Sequence, residues 1–226
     1  MTIEDPVEYK LEGISQTPIA SDKGMTFAAG LRAILRQDPD VIMVGEIRDQ
    51  ETAEVALQAA LTGHVVLSTL HTNDAAGAIP RLTNMGVKPY TIAPAMNAII
   101  AQRLVRKLCQ ECKQETKLDD SLMQTVKKSL DAIPKNSGIS VGTELHFYHS
   151  AGCTICNNTG YKGRIGIYEV IAKTEEIEKL IFSEANASDI KRVAIANGMI
   201  TMMQDGMLKA LQGITDVEEV LRVAQD

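Results

Sequence analysis

Short apolar runs alternate with helical patterns through the first half of the chain. Val41–Val44 is an unbroken apolar run between Pro39 and Gly45. The run is too short for a helix and predicts a strand that is buried on both faces. A second β-branched apolar run spans residues 65–69. Strands of this kind that alternate with helices predict a largely parallel sheet of the α/β class.

Helical patterns lie between and beyond these runs. The spacing of apolar residues predicts a helix over residues 26–37, and an alanine-rich helix follows over residues 49–61. Thr26 and Asp49 are the predicted N-caps because their side-chain oxygens can accept from the first free backbone N–H groups. A further helix begins near Ala75.

A longer helix is predicted from Pro89 to about Lys107, since Pro is favoured in the first turn of a helix. An apolar stripe at helical spacing supports this helix, and it consists of Ile92, Met96, Ile99, Ile100 and Leu104. The stripe can be either a face that packs in the core or a contact with a neighbouring subunit.

The last third of the chain predicts one strand and then a small helical bundle. The strand spans residues 165–171 and follows a glycine-punctuated turn over residues 159–166. Thr215 and Glu218 predict a capping box at the start of the last helix. The predicted helices span residues 174–184, 188–197, 201–212 and 215–224.

Polar side chains follow the ends of both predicted strands. Glu46, Arg48 and Asp49 come directly after the first strand, and His71 comes just after the second. In open α/β sheets the carboxyl ends of the strands form the edge where ligands bind, so these side chains predict one composite site. The alternatives stay open: a charged turn exposed to solvent, and a histidine that is merely packed or on the surface.

The beginning of the chain carries an acidic pair. Glu4 and Asp5 precede Pro6 as if a strand had just ended, and a carboxylate in such a place can accept a proton from water or position a metal ion. An ordinary surface pair is the alternative. Residues 10–24 are rich in turn formers and predict a loop with a short strand near Ile14.

Composition and charge exclude several classes of protein. The 226 residues are 45% hydrophobic and 23% charged, which is typical of a globular chain with a real core. A net charge of −6 with no basic tail gives no support for nucleic-acid binding. We find neither a signal peptide nor an apolar run of about 18 residues, so we expect a cytoplasmic chain.

The four cysteines fall in two Cys-x-x-Cys pairs, and this spacing predicts a metal site. Two such turns complete a tetrahedral zinc shell without an open position, so the predicted zinc is structural. The alternative is disulfide bonding, which a reducing compartment disfavours. A predicted helix over residues 119–132 lies between the pairs. The predicted ligands are Cys109, Cys112, Cys153 and Cys156.

Several separate motifs, taken in order, resemble one known family. Residues 2–6 (Thr-Ile-Glu-Asp-Pro), residues 35–49, which contain Val-Gly-Glu-Ile-Arg-Asp, and residues 63–73 resemble the Asp box, Walker B and His box of secretion ATPases. These are the motor ATPases of type II secretion and type IV pilus assembly. The cysteine pairs and residues 159–169 are similar to the zinc-bearing branch that drives assembly or secretion, which the retraction ATPases lack.

The resemblance implies a RecA-like ATPase domain that works as a ring of six, with ATP, Mg²⁺ and Zn²⁺ as cofactors. It implies that Glu4 orients or deprotonates the attacking water, that Glu46 holds Mg²⁺ through water, and that His71 lies near the γ-phosphate. The implied partners are an inner-membrane platform and cytoplasmic assembly proteins, which would place the chain at the inner membrane's cytoplasmic side. Further candidates for nucleotide contacts are Asp5, Gly45 and His64, the last as the second choice after His71 for the His-box residue. The resemblance also implies contacts with phosphate or with a neighbouring subunit for Arg32, Arg36 and Arg48.

The 226 residues depart from the family pattern in one respect, the absence of a phosphate loop. No Gly-Lys-Ser/Thr string occurs in them. We therefore expect the chain to be the C-terminal portion of a motor ATPase that hydrolyses little ATP alone. The alternative is a zinc-stapled interaction module, or a degenerate paralogue, that docks without hydrolysis. The predicted regions are residues 1–107 (ATPase core), 108–170 (zinc-binding region) and 171–226 (helical subdomain).

Overall fold

The structure is a computed structural model that describes residues 1–20 and 24–224. The chain divides into two compact units. The first unit contains residues 1–99 and 172–190, and the second contains residues 100–171 and the chain from residue 191 on. The three regions predicted from the sequence were defined by their expected functions. This division into units does not test them, so they stay a prediction.

The strands are numbered in chain order. They are β1 (Thr2–Glu4), β2 (Gln16–Pro18), β3 (Val41–Val44), β4 (Val65–Ser68), β5 (Ala98–Leu108), β6 (Lys113–Thr116), β7 (Phe147–Ser150) and β8 (Tyr161–Ala172).

The α-helices are numbered in the same way. They are α1 (Phe27–Leu35), α2 (Gln50–Leu61), α3 (Ala78–Asn84), α4 (Pro89–Ala95), α5 (Asp120–Asp131), α6 (Glu175–Phe182), α7 (Ala187–Ala196), α8 (Met202–Leu211) and α9 (Val217–Ala224).

The first unit is built on a parallel sheet, which confirms the predicted α/β class. The strand order is β2-β1-β3-β4, and each neighbouring pair is parallel. Ile3 of β1 pairs in register with Val44 of β3, and Val44 pairs with Ser68 of β4. Both predicted central strands are therefore present, and their carboxyl ends lie at one edge of the sheet.

The predicted helices α1 and α2 begin where the sequence places them. The Thr26 side chain accepts a hydrogen bond from the Ala29 N–H at 3.1 Å, and Asp49 Oδ1 accepts one from the Thr52 N–H at 2.8 Å. Each bond satisfies a backbone donor that has no partner within the helix, so each cap fixes the first turn.

The sheet is covered more fully on one face than on the other. Ile42 and Val44 are fully buried, on the face where Gly30 of α1 approaches Ile3. On the opposite face Val41, Val65 and Leu67 keep 45–55% of their surface exposed. The prediction that β3 is buried on both faces is therefore wrong. An apolar run predicts a strand, but it does not show whether helices cover both faces of the sheet.

The predicted long helix from Pro89 to Lys107 is wrong. Helix α4 ends at Ala95, and β5 begins at Ala98 and pairs with β8. Pro94 lies inside α4 and has no N–H to donate, and the β-branched residues that follow favour a strand. Of the predicted apolar stripe, Ile100 is 64% exposed and Leu104 is 48% exposed, so the stripe is not a helical core face.

The second unit combines two strand pairs with helices. β6 and β7 are antiparallel, and the predicted glycine-rich turn is in fact extended chain from Tyr161 on, because β8 begins there. Helix α8 packs against α5 and α9. Their shared core consists of Val126, Leu130, Phe147, Met207, Ala210, Val217 and Val220.

The four predicted C-terminal helices are all present as α6 to α9. They are not one bundle, because α6 packs against α4 in the first unit and α8 packs against α9 in the second. The predicted capping box of α9 is wrong by one residue. Asp216, rather than Thr215, accepts from the Glu219 N–H at 2.8 Å, and the Thr215 hydroxyl donates to the Arg106 carbonyl oxygen instead.

None of the helices in the described ranges combines the length and the apolar character that a membrane crossing requires.

Candidate functional site

The sheet edge of the first unit brings together the acids that the sequence singled out. Glu4 is the last residue of β1, Glu46 follows β3 by two residues, and His71 follows β4 by three. The Gly45 N–H donates to the Ile3 carbonyl oxygen at 2.8 Å, which holds the ends of β1 and β3 side by side. The parallel register therefore places these side chains at one edge.

Gly45 allows β1 and β3 to approach closely at this edge. A Cβ atom at this position would lie 3.2 Å from the Ile3 carbonyl oxygen and 3.3 Å from Glu4 Cα. Both distances are tighter than ordinary side-chain packing, and both partners are backbone atoms that cannot swing away. The residue is a glycine because the backbone that carries Glu4 occupies the space.

Glu46 is the centre of a charged cluster. Its carboxylate accepts from Arg48 Nη2 at 2.6 Å, and its other oxygen lies 3.3 Å from His71 Nε2. The hydrogen bond from Arg48 lowers the pKa of Glu46, although partial burial opposes the shift, and His71 adds to the lowering. Glu46 is therefore held ionised with donors on both of its oxygens.

Arg48 and Asp5 extend this cluster. The hydrogen bond to Glu46 raises the pKa of Arg48, and the charge of Asp5 adds a smaller contribution in the same direction. The structure thus brings five of the predicted site residues to one region of the sheet edge. They are Asp5, Gly45, Glu46, Arg48 and His71.

Glu4 lies beside this cluster and is 9% exposed. Its Oε1 atom accepts from the Thr2 hydroxyl and from Gln16 Nε2, the latter at 3.0 Å. Gln16 is not among the residues predicted for this site, because it lies in a segment whose turn-forming residues predict a loop. The available signal was the short strand predicted near Ile14, which the structure places at Gln16–Pro18 and pairs with β1.

Three predicted phosphate contacts lie outside this cluster. Arg32 donates to Glu51 at 2.8 Å on the exposed surface between α1 and α2. Arg36 is the C-cap of α1, which leads to the amino end of β3. His64 directly precedes β4, where its Nδ1 lies 3.0 Å from the Ala59 carbonyl oxygen. Since parallel strands share direction, Arg36 and His64 lie at the amino edge of the sheet.

The edge cluster has the chemistry of a site for a divalent cation and water. Carboxylates are the oxygen ligands that Mg²⁺ prefers, and a carboxylate beside them can orient or deprotonate water. Glu46 fits the first role and Glu4 the second by position.

The second unit contains a candidate metal centre. The four sulfur atoms lie within 4.8 Å of one another, with Sγ–Sγ distances of 3.9 Å (Cys109–Cys153), 3.9 Å (Cys112–Cys156) and 3.8 Å (Cys153–Cys156). A tetrahedral zinc ion with Zn–S bonds of about 2.3 Å requires edges of about 3.8 Å. The cysteines are free thiols and not disulfides, so the four residues fit zinc.

Backbone donors favour the thiolate at one of the four sulfurs, that of Cys156, whereas burial raises the pKa of the Cys112 thiol to about 12. Burial opposes the ionisation of Cys156, but N–H groups of Cys153 and Gly160 donate to its sulfur at 3.2 and 3.3 Å and lower its pKa to about 6. A thiolate is the form that binds metals.

Comparisons with known proteins agree on one family. A family model described as "Type II/IV secretion system protein" matches residues 1–222. The type IV pilus assembly ATPase PilB of Thermus thermophilus is 51% identical over 97% of the chain, which covers 24% of that protein. Type II secretion system protein E of Pseudomonas aeruginosa is 47% identical over the whole chain, which covers 43% of it. The chain thus spans less than half the length of these curated relatives.

A solved structure supports the same assignment. The structure described as the pilus retraction motor PilT with bound ADP is 29% identical, with a TM-score of 0.65 over the whole chain and 52% of that motor. The sheet, the acidic edge and these matches agree, and the chain belongs to the type II/IV secretion system protein family.

Proposed function

We propose that this chain forms the C-terminal part of a motor ATPase that hydrolyses ATP to drive type II secretion or type IV pilus assembly. The observation that carries the proposal is the clustering of Glu46, Arg48 and His71 beside Glu4 at the carboxyl edge of a parallel sheet. The family match and the ATPases among the named relatives support it.

In this proposal each edge residue has a distinct role. Glu46 holds Mg²⁺ through water, Glu4 orients or deprotonates the attacking water, and His71 lies near the γ-phosphate. Bound Mg²⁺ would neutralise the charge that develops on the phosphate oxygens. The protein's part is mainly positioning, because phosphoryl transfer needs little covalent help.

The remaining predicted site residues bind phosphate, shape the sheet edge or contact a neighbouring subunit in this proposal. Arg48 already neutralises Glu46, so it is placed to exchange that partner for a phosphate oxygen when nucleotide binds. Gly45 keeps β1 and β3 close enough for Glu4 and Glu46 to act on one ligand. Arg32, Arg36 and His64 lie outside the cluster, and we propose contacts with a neighbouring subunit for them.

We propose that the four cysteines hold one structural zinc ion. Four protein ligands fill a tetrahedral shell, so the ion has no open position for a substrate or water. The cysteine-bearing turns belong to the second unit, where zinc would tie residues 109–112 to residues 153–156.

The complete protein is proposed to work as a hexamer at the cytoplasmic side of the inner membrane. Its partners would be a membrane platform and cytoplasmic assembly proteins, since the named relatives serve type II secretion and type IV pilus assembly. The net charge of −6 favours protein partners over nucleic acid.

Magnesium-dependent ATP turnover tests the proposal. We expect little or no hydrolysis by the 226-residue chain, which has no Gly-Lys-Ser/Thr string, and substantial hydrolysis by a longer form of the protein that includes such a string. Substantial turnover by the short chain would contradict the proposed dependence on a phosphate loop. Absence of nucleotide binding by the full-length protein would favour a non-catalytic interaction module.

A further inference from the structure

The carboxylate of Glu4 is held through one oxygen only. Oε1 accepts from the Thr2 hydroxyl and from Gln16 Nε2, whereas among residues 1–20 and 24–224 no donor is found for Oε2. Two donors on one oxygen fix the rotation of the carboxyl group and leave the second oxygen available to water. This asymmetry suits a group that must aim one oxygen at a nucleophile.

Strand pairing brings Gln16 to this place. Side chains alternate along a strand, so Thr2 and Glu4 share one face of β1. Gln16 of β2 pairs in register with Thr2, and the Ile19 N–H donates to the Glu4 carbonyl oxygen at 2.8 Å. Gln16 is therefore fixed beside Glu4 by the sheet itself and not by a mobile loop.

The Gln16 side chain also holds the loop that follows Glu4. Its Nε2 donates to the Tyr9 carbonyl oxygen at 3.0 Å, and its Oε1 accepts from the Leu11 N–H at 2.7 Å. One amide thus binds Glu4 and two points of the loop between β1 and β2. Tyr9 and Leu11 keep 81% and 53% of their surface exposed, so hydrophobic packing contributes little to this loop's position.

We propose that Gln16 is a positioning residue for ATP hydrolysis, which acts by holding Glu4 Oε1 so that Oε2 meets the attacking water. This inference rests on the proposed catalytic role of Glu4. Gln16 itself contacts neither the nucleotide nor the attacking water. Loss of its N–H donor leaves the Thr2 hydroxyl as the remaining donor to Oε1, so the carboxyl group is held by one bond instead of two and can rotate about it. A displacement of about 1 Å at a reacting group costs about 100-fold in rate.

The test is steady-state ATP hydrolysis by the full-length protein with Gln16→Met, which keeps the length of the side chain and removes its donors. We expect kcat to fall about 10- to 100-fold, while KM for MgATP stays within about twofold, because substrate binding does not need the Glu4 orientation. Gln58→Met on the exposed face of α2 is the matched control and should keep wild-type kinetics.

Gln16→Glu separates the two roles of this side chain. The new carboxylate can still accept from the Leu11 N–H but cannot donate to Glu4, and it places a like charge beside it. We expect a loss of kcat at least as large as that of Gln16→Met. Wild-type kcat in Gln16→Glu would overturn the proposal and assign Gln16 to loop structure alone.

A double mutant shows whether Gln16 acts through Glu4. In a Glu4→Gln background, Gln16→Met should cause no further loss of kcat, because the group that it positions is gone. A full additional loss would overturn the proposal. If Glu4→Gln itself keeps wild-type kcat, the catalytic assignment of Glu4 fails; if only the Gln16 variants keep it, this inference alone fails.

Discussion

The sheet-edge cluster and the tetracysteine cluster are both sets of potential metal ligands, but they differ in completeness. The four cysteine sulfurs already lie at the spacing of a tetrahedral shell and need no residue from elsewhere. At the sheet edge, both oxygens of Glu46 and one oxygen of Glu4 instead already accept from donors of the same unit, and the 226 residues have no Gly-Lys-Ser/Thr string. The metal site can thus be complete within one unit, whereas the proposed nucleotide site depends on a phosphate loop that these 226 residues do not contain.

The largest effect is expected at the sheet edge. Glu4→Gln in the full-length protein should lower kcat about 100- to 10,000-fold, because an amide cannot accept the proton of water. Nucleotide binding should persist, since binding does not need a base. Steady-state hydrolysis and calorimetry with a non-hydrolysable ATP analogue measure the two separately.

The control for this prediction is Glu12→Gln, which removes an exposed carboxylate from the same loop region. It should keep wild-type turnover. Equal losses in the two variants would show that charge in this region matters in general, and would remove the special role of Glu4.

The next effect is expected at the cysteines. Cys153→Ser removes one of four ligands, so zinc content should fall from about one ion per chain toward zero after dialysis against a chelator. The unfolding temperature of the second unit should fall, while the parallel sheet of the first unit stays folded. Elemental analysis and amide hydrogen exchange of both units measure this.

Thr154→Ser in the same turn is the control and should retain zinc. A wild-type protein without zinc and with oxidised cysteines would contradict the prediction and restore the disulfide alternative.

A smaller effect is expected at Glu219, whose side chain is fully buried and paired with Arg106 and Arg222 at 2.7 Å each. Burial opposes its ionisation, but the hydrogen bonds from Arg222 and Arg106 outweigh it and lower the pKa to about 2. Glu219→Gln should cost about 2 kcal/mol in stability, less than the 3–5 kcal/mol of fully buried pairs, because both arginines are half exposed.

The same pair predicts a pH dependence. The folded pKa lies below the unfolded value near 4.3, so the contribution is fully present above about pH 4.3 and is lost as the pH falls toward 2. Urea unfolding between pH 2 and pH 6 should show a shallower acid dependence in Glu219→Gln than in the wild type. The exposed neighbour Glu218→Gln is the control, and an equal change there would contradict the assignment.

The smallest effect is expected at Arg32, which was a candidate for phosphate contact. Its pair with Glu51 is exposed on both sides, so Arg32→Gln should change the free energy of unfolding by less than about 0.5 kcal/mol. Because we propose that Arg32 contacts a neighbouring subunit, a loss should appear instead in kcat of the full-length protein and depend on protein concentration. Unchanged turnover at every protein concentration would contradict this contact.

Much of the first unit was predictable because its signals are local. Apolar runs at Val41 and Val65, and the caps Thr26 and Asp49, gave the βα alternation and hence the edge where Glu46 and His71 meet. The cysteine spacing similarly predicted the ligand set.

The errors arose where tertiary contacts override local pattern. Residues 98–108 have a stripe at helical spacing, but β8 pairs with them and makes them a strand. Asp216 rather than Thr215 caps α9, because the Thr215 hydroxyl bonds to Arg106, which is 109 residues away in sequence. Gln16 was missed for the same reason, since only the pairing of β2 with β1 gives it a role.

The position of β4 beside β3 has a consequence for solvent exchange of the backbone. The Val65 N–H donates to the Asp40 carbonyl oxygen, on the side of β4 that faces β3. Successive residues of a strand direct their N–H groups to opposite sides, so the N–H groups of Val66 and Ser68 point away from β3. In the described part of the chain β4 has no strand on that side. Deuterium should therefore enter Val66 and Ser68 rapidly and Val65 slowly, and slow exchange at all three would reveal a further strand in the complete protein.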